Sequence, residues 1–323
     1  LKTLRFFFVV VALLFSSGPV MAWDSLGHML VTQIAWDRLT PEAKAGVEAA
    51  LARFNEEKQS DRGTPDEAYN FVTASCWMDD ARSLPDKYNF GPWHYVNLPF
   101  TPDGLPEPEA EMDVNVIWGI NRCVEIISGL AEDPAISRDQ ALVMLLHLAG
   151  DIHQPLHTTN RGGDAGGNRV MVPNVELSKE EKLYGKSRWS NLHAFWDSSY
   201  RRTFGSGQAT LLYEAPLYDR ERPAAGHAAG RELIEREAAA LVKKYPPPAD
   251  PAPADAAAWA HESHAIGYET GYGKLPDNSP TATFAKLDER YVNAARDVAE
   301  QRLALAGYRL ADLINGLFAP AAP

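Results

Sequence analysis

Two histidine–carboxylate pairs recur at one spacing. His147 and Asp151 stand at i and i+4 within His147-Leu148-Ala149-Gly150-Asp151-Ile152-His153-Gln154-Pro155-Leu156-His157. His193 and Asp197 do the same within Asn191-Leu192-His193-Ala194-Phe195-Trp196-Asp197. On a helix this spacing projects both side chains from one face. Imidazole nitrogen and carboxylate oxygen are ordinary zinc ligands, so each pair could meet one ion. Either pair taken alone is better read as a charge pair on a helix surface. His153 lies roughly 120° or more around the helix from His147 and Asp151, outside any site they share. Pro155 disturbs the helix, and His157 follows on the altered path.

Other residues of the same chemistry are spread along the chain. Asp79 sits in Cys76-Trp77-Met78-Asp79-Asp80-Ala81-Arg82, and His94 in Trp93-His94-Tyr95 ahead of several prolines. Each alone reads as a helix-end carboxylate or a packed loop histidine. His28 lies five residues after Trp23, and Trp23 follows an apolar leader. Residues 1–22 read as a cleaved secretory signal: Lys2 and Arg5, ten apolar residues from Phe6 to Phe15, then Val20-Met21-Ala22 before the cut. That run is too short to span a bilayer, and no second run of spanning length follows. A cut after Ala22 would make the Trp23 amine a chain terminus. Such an amine is neutral near pH 8 and can offer a lone pair to a metal. The expected location is therefore periplasmic or extracellular, with no membrane span in the mature chain.

Some residues are set aside. His261-Glu262-Ser263-His264 has two residues between its histidines but not the His-Glu-x-x-His order, and reads as a polar helix face. His227 stands alone in a Gly/Ala-rich stretch and reads as solvated. His153 is assigned to packing or to support of the ligands. Asn168 is expected to stabilise a glycine-rich turn.

The elements that must position these groups are mostly helical. Apolar spacing near 3–4 predicts helices over 25–39, 42–54, 66–81, 111–130, 138–153, 187–200, 228–244, 254–270 and 283–318. Thr40-Pro41-Glu42 has the form of a cap followed by proline at the first helical position. The glycines at 162, 163, 166 and 167, followed by Val170-Met171-Val172, predict a β-hairpin or tight loop near 162–174. It lacks the Gly-Lys-Ser/Thr ending of a nucleotide-triphosphate loop. The expected fold class is all-α, a single mainly helical domain over residues 23–323.

The chain has 323 residues and a formal charge of −12. Loss of Lys2 and Arg5 with the leader takes the charge to −14 over 301 residues. That balance argues against a broad basic surface for duplex DNA. It leaves room for a polyanionic substrate if bound metal supplies positive field locally. The two cysteines, Cys76 and Cys123, could form a disulfide after export or stay as buried thiols.

Taken together, the motifs resemble the zinc-dependent single-strand nucleases of the S1/P1 type, which share a fold with bacterial zinc phospholipases C. The resemblance spans essentially residues 23–323. It rests on Trp23 with His28, Trp77-x-Asp79-x-x-Arg82, His94-Tyr95, His147-x3-Asp151-x5-His157, Gly166-Gly167-Asn168 and Asn191-Leu192-His193-x3-Asp197, with a weaker match at Trp259-Ala260-x-Glu262-Ser263.

The resemblance implies three zinc ions per chain. One would be held by Asp79, His94, His147 and Asp151. A second would take the Trp23 amine and carbonyl, His28 and a bridging Asp151. The third would take His157, His193 and Asp197. It further implies endonucleolytic hydrolysis of single-stranded DNA and RNA to 5′-phosphate products, with 3′-nucleotides as further substrates and no protein partner. Asp79 would orient the nucleophile or accept its proton. Arg82 would stabilise transition-state charge. Tyr95 would stack on a base, and Asn97 would bond its edge. The alternative is a phospholipase C of the same fold acting on lipid headgroups. Those lipases place a Glu where this chain has Asp197, which favours the nuclease.

Overall fold

The computed structural model describes residues 23–58, 68–82, 88, 90–101, 113–173, 189–205, 208–211, 225–249, 253–275, 281–284 and 286–319. The leader over 1–22 lies outside the described residues. Ten α-helices are found among them. They are α1 (Ser25–Trp36), α2 (Pro41–Glu57), α3 (Phe71–Ala74), α4 (Trp77–Ala81), α5 (Val116–Ile127), α6 (Arg138–Asp151), α7 (Leu192–Asp197), α8 (Ala225–Lys244), α9 (Ala256–Ile266) and α10 (Glu289–Leu317).

Helices α1 and α6 are central. Every residue from Leu26 to Ala35 and from Gln140 to Asp151 is buried, as expected for helices walled in on all sides. Both start at a side-chain cap: Asp24 accepts from the Gly27 N–H and Ser137 from the Gln140 N–H. Helix α1 packs on α10, α8 and α6, and α5 packs on α6. Two apolar clusters result. The larger surrounds α1 and α6. The smaller gathers Leu156, Val172, Phe195, Trp196 and Tyr272. Helix α10 runs through both, with Tyr291 and Val292 in the smaller and Leu303 and Ile314 in the larger.

Several elements depart from the periodicity, for local reasons. The helix expected over 66–81 is broken at Ser75 and Cys76, because the Ser75 carbonyl leaves the helical ladder to accept a bond from His147. Helix α6 stops at Asp151 because Pro155 needs an extended residue before it, and Gln154 has φ −81° and ψ 117°. A 3₁₀ turn, Pro155–Thr158, then carries His157. Helix α5 ends at Gly129, whose φ of 73° suits the left-handed stop.

Strand pairing is sparse. β1 (Pro99–Phe100) pairs in parallel with β2 (Asn160–Arg161). β3 (Met171–Pro173) pairs antiparallel with β4 (Trp189–Asn191), and β5 (Arg202–Gly205) with β6 (Gln208–Leu211). Thus, among the described residues, 162–173 take the tight-loop form and do not pair with one another as a hairpin. Gly162, Gly163, Ala165, Gly166 and Gly167 all have positive φ. They coil residues 162–170 into tight turns, and β3 finds its partner in the strand leading to α7. Asn168 supports that turn, donating to the Ala165 carbonyl at 2.7 Å. Cys76 and Cys123 are both free and buried, so no disulfide forms between them.

Candidate metal centre

The predicted ligands converge from six elements, with α4 bringing Asp79. Helix α1 brings His28 and α6 brings His147 and Asp151. The 3₁₀ turn Gly91–His94 brings His94, and the Pro155–Thr158 turn with α7 brings His157, His193 and Asp197. Among the described residues, three groups have ligand atoms mutually within 4.8 Å: His28, Asp79 and His147; His94, His147 and Asp151; and His157, His193 and Asp197.

In the first two groups, His147 Nε2 lies 3.0 Å from His94 Nδ1 and 3.2 Å from Asp151 Oδ2. His94 Nδ1 is 3.0 Å from the same carboxylate oxygen. The other oxygen, Oδ1, faces His28 Nε2 at 3.4 Å. Asp151 therefore stands between His28 on one side and His94 with His147 on the other. The His28 and His147 rings stack at 3.9 Å. Asp79 Oδ1 is 4.0 Å from His147 Nε2 and 3.2 Å from Arg82 Nη2. Asp79 thus groups with His28 and His147, and among the described residues it is in no group with His94. In the third group, His157 Nε2 and His193 Nε2 are 3.0 Å apart, and Asp197 Oδ1 is 3.8 Å from His193 Nε2.

Backbone carbonyls settle which nitrogen of three of these rings carries the proton. His147 Nδ1 is 2.6 Å from the Ser75 carbonyl, His157 Nδ1 2.6 Å from the His94 carbonyl, and His193 Nδ1 2.8 Å from the Gly166 carbonyl. A carbonyl can only accept, so each Nδ1 carries the proton and each Nε2 the lone pair. Two lone pairs then face each other between His157 and His193, which repel unless a cation sits between them. Both ring nitrogens of His28, together with Asp151 Oδ1, are buried without a hydrogen bond. Buried polar atoms are rarely left so. A divalent cation bound by nitrogen and carboxylate fits this donor set.

Electrostatics agree. Burial, then competition with the neighbouring His147 for a proton, holds the His28 and His94 imidazoles well below their ordinary value, and so neutral and able to ligate. Burial pushes Asp151 up to about 6 against the opposing pull of His147. Burial also pushes Asp197 well above the carboxylate range, against the Gln154 hydrogen bond that favours its ionised form. Carboxylates so desolvated need a nearby cation to ionise fully.

Trp23 and Asp24 are clamped beside the site. Trp23 is fully buried, and its indole N–H donates to the Gly150 carbonyl at 2.9 Å. The Asp24 N–H donates to the Asp197 carbonyl at 3.0 Å, and Arg201 bonds the Asp24 carboxylate. An added Cβ at Gly150 would lie 2.8 Å from His28 Nδ1, so only glycine lets α6 approach α1 this closely. Tyr95 and Asn97 are half-buried while Val96 and Leu98 are buried, which puts Tyr95 and Asn97 on one outward side.

Sequence reasoning missed Gln154, whose amide donates to Asp197 Oδ1 at 2.6 Å; nothing in its spacing marks it. His153 is kept out of the metal centre as expected. Its Nδ1 bonds the Ala149 carbonyl, and its Nε2 accepts from Arg309. The 261–264 segment is less polar than expected, because Ser263 is buried and donates to the Ile152 carbonyl. The side chain of His227 lies outside the described residues.

Comparison with known proteins supports the same reading. The S1/P1 Nuclease family profile matches residues 23–319, beginning at Trp23. Endonuclease 2 of Arabidopsis thaliana is 25% identical, over 96% of this chain and 95% of that protein. Nuclease P1 of Penicillium citrinum is 24% identical, over 91% of this chain and 97% of its own. Nuclease S1 of Aspergillus oryzae is 23% identical, over 90% of this chain and 89% of its own. With a helical fold, clustered His/Asp groups that could hold metal, and a family match across nearly all of residues 23–323, the chain belongs to the S1/P1 nuclease family and is a hydrolase of phosphodiester bonds.

Proposed function

We propose that this protein is an exported, trinuclear zinc endonuclease that cuts single-stranded DNA and RNA to 5′-phosphate products and also acts on 3′-nucleotides. The observation that carries the metal reading is the facing pair of Nε2 lone pairs on His157 and His193, 3.0 Å apart and fixed by carbonyl bonds behind both rings. One zinc would be held by Asp79, His94, His147 and Asp151. A second would be held by the Trp23 amine and carbonyl, His28 and Asp151, and the third by His157, His193 and Asp197. Bound zinc supplies an activated water near neutral pH and positive field at the phosphoryl group.

The chain's own groups do the rest. Asp79, at the rim of the buried cluster, orients the attacking water and takes its proton. Arg82, 3.2 Å from Asp79 and partly exposed, presents N–H donors to the developing phosphoryl charge. Tyr95 offers a ring to one base, and Asn97, on the same outward side, bonds its edge. Stacking of this kind needs an unpaired base, which favours single strands. Among the described residues no helix is long and apolar enough to cross a membrane, in keeping with an exported protein.

The test is one preparation assayed on single-stranded DNA, RNA and phosphatidylcholine. Hydrolysis of the nucleic acids is expected. Turnover of lipid alone would overturn the nuclease reading in favour of the phospholipase.

A further inference from the structure

Four large hydrophobic side chains are exposed among the described residues: Val114, Trp118, Leu130 and Tyr268. Two of them, Val114 and Trp118, are each 38% exposed and flank the N-terminal cap of α5. That turn is joined to the proposed base platform, because the Val116 N–H donates to the Tyr95 carbonyl at 3.1 Å. It is also joined to a ligand. The Trp118 indole meets Trp93 edge-on, with ring centres 4.7 Å apart and planes at 87°, and Trp93 directly precedes His94.

Trp118 is held in place. Asn115 Oδ1 accepts its backbone N–H at 3.0 Å. An added Cβ at Gly119 would lie 3.0 Å from Trp93 Cε3, so α5 sits close against the Trp93 ring. Trp93 supports the indole on one side and is itself buried. Trp118 keeps 38% of its surface exposed, in direct contact with the residue before His94.

The occupant follows from the charge and the neighbours. A chain of −12 cannot grip a long polyanion through a broad basic groove. Base stacking on an aromatic needs no such groove and accepts any base. We propose that Trp118, backed by Trp93 and flanked by Val114, stacks on the base next to the one held by Tyr95, so that the enzyme favours oligonucleotides over dinucleotides. This rests on the nuclease reading above.

The experiment compares kcat/KM on a single-stranded octanucleotide with kcat/KM on a dinucleotide. In Trp118→Ala the octanucleotide:dinucleotide ratio falls about 5- to 10-fold, mainly through a higher KM for the longer strand. Trp118→Phe keeps most of the ratio, which a loss of folding would not allow. Leu130→Ala removes exposed apolar surface beyond the far end of α5 and leaves the ratio at the wild-type value. An unchanged ratio in Trp118→Ala, or an equal loss on both substrates, overturns the role of Trp118 while wild-type cleavage upholds the nuclease reading. Wild-type protein that cleaves neither substrate overturns both.

Discussion

The side-chain amide of Gln154 spans two parts of the metal centre. Its nitrogen donates to Asp197 Oδ1 at 2.6 Å, and its oxygen accepts from the Leu156 N–H in the turn that carries His157. One buried residue therefore fixes the carboxylate and the histidine of the third group relative to each other. Groups that orient ligands in this way are worth about 10- to 100-fold in metal affinity. Gln154→Ala is expected to weaken binding at His157, His193 and Asp197 by that factor, read by zinc competition against a chelator. Unchanged affinity would mean that Asp197 holds its place without help.

Asp79 is assigned both as a ligand and as the group that handles the proton of the attacking water. Asp79→Asn keeps the shape and one ligating oxygen but cannot take a proton. Loss of general-base function is worth about 10²- to 10⁴-fold in rate. Hydrolysis of single-stranded DNA should fall by that amount while most of the zinc stays bound, as measured by metal analysis of the same sample. Full activity in the variant would remove Asp79 from the chemistry.

Gly150 is where α6 passes closest to His28. A methyl group there would sit 2.8 Å from His28 Nδ1 and 3.1 Å from His28 Cε1, in a fully buried setting. Overpacking of this kind costs typically about 1–3 kcal/mol. Gly150→Ala should lower Tm and shrink the rise in Tm that added zinc produces, because His28 is displaced from Asp151. A variant that loses Tm but keeps the full zinc response would place the strain elsewhere.

How much of this was legible in the sequence varies from residue to residue for physical reasons. The i/i+4 pairs His147–Asp151 and His193–Asp197 could be read because helix geometry alone decides which side chains share a face. The meeting of His157 with His193 came only from the family resemblance, because it depends on how the Pro155 turn docks against α7. Helix bounds failed where a backbone group was diverted, as at Ser75, or where a proline set the preceding residue, as at Gln154. Of the two readings near 162–174, the tight loop holds over the described residues rather than the hairpin, because strand partners are chosen by the tertiary fold and the glycine run favoured coiling. Trp118 carried no motif, since its exposure is a property of the packed surface.

The anchoring of Trp23 leads to a prediction about maturation. Trp23 is anchored by its indole at Gly150, and Asp24 by Asp197, so the backbone at Trp23 is held beside the site whatever precedes it. Only a cut directly before Trp23 turns its nitrogen from an amide into a ligating amine. Protein starting at Trp23 should carry three zinc ions. Protein with one added residue should carry about two, because the second site is left with His28 and Asp151 as its side-chain ligands. Metal analysis of the two forms, with N-terminal sequencing, decides it; equal zinc and equal activity would leave the leader as an export signal alone.

The last prediction concerns acid stability, through Glu262. Burial pulls its carboxyl upward, but hydrogen bonds and charge from Arg309, then Arg302, hold it below the ordinary 4.5. The lower value in the folded state means that the unfolded chain takes up the proton first as pH falls. The stabilisation is therefore present above pH 4.5 and is lost as pH falls through the folded value. Glu262 is partly exposed, so solvent screening limits its share to the scale of a surface pair, about 1 kcal/mol or less. Its partner Arg302 is buried and also bonds Ser263 and the His153 carbonyl just beyond α6. Urea unfolding at a series of pH values should thus show Glu262→Gln less stable than wild type at pH 7, with the two converging below pH 4. Curves that stay parallel across that range would mean that the Arg302–Arg309 cluster holds its charge without Glu262.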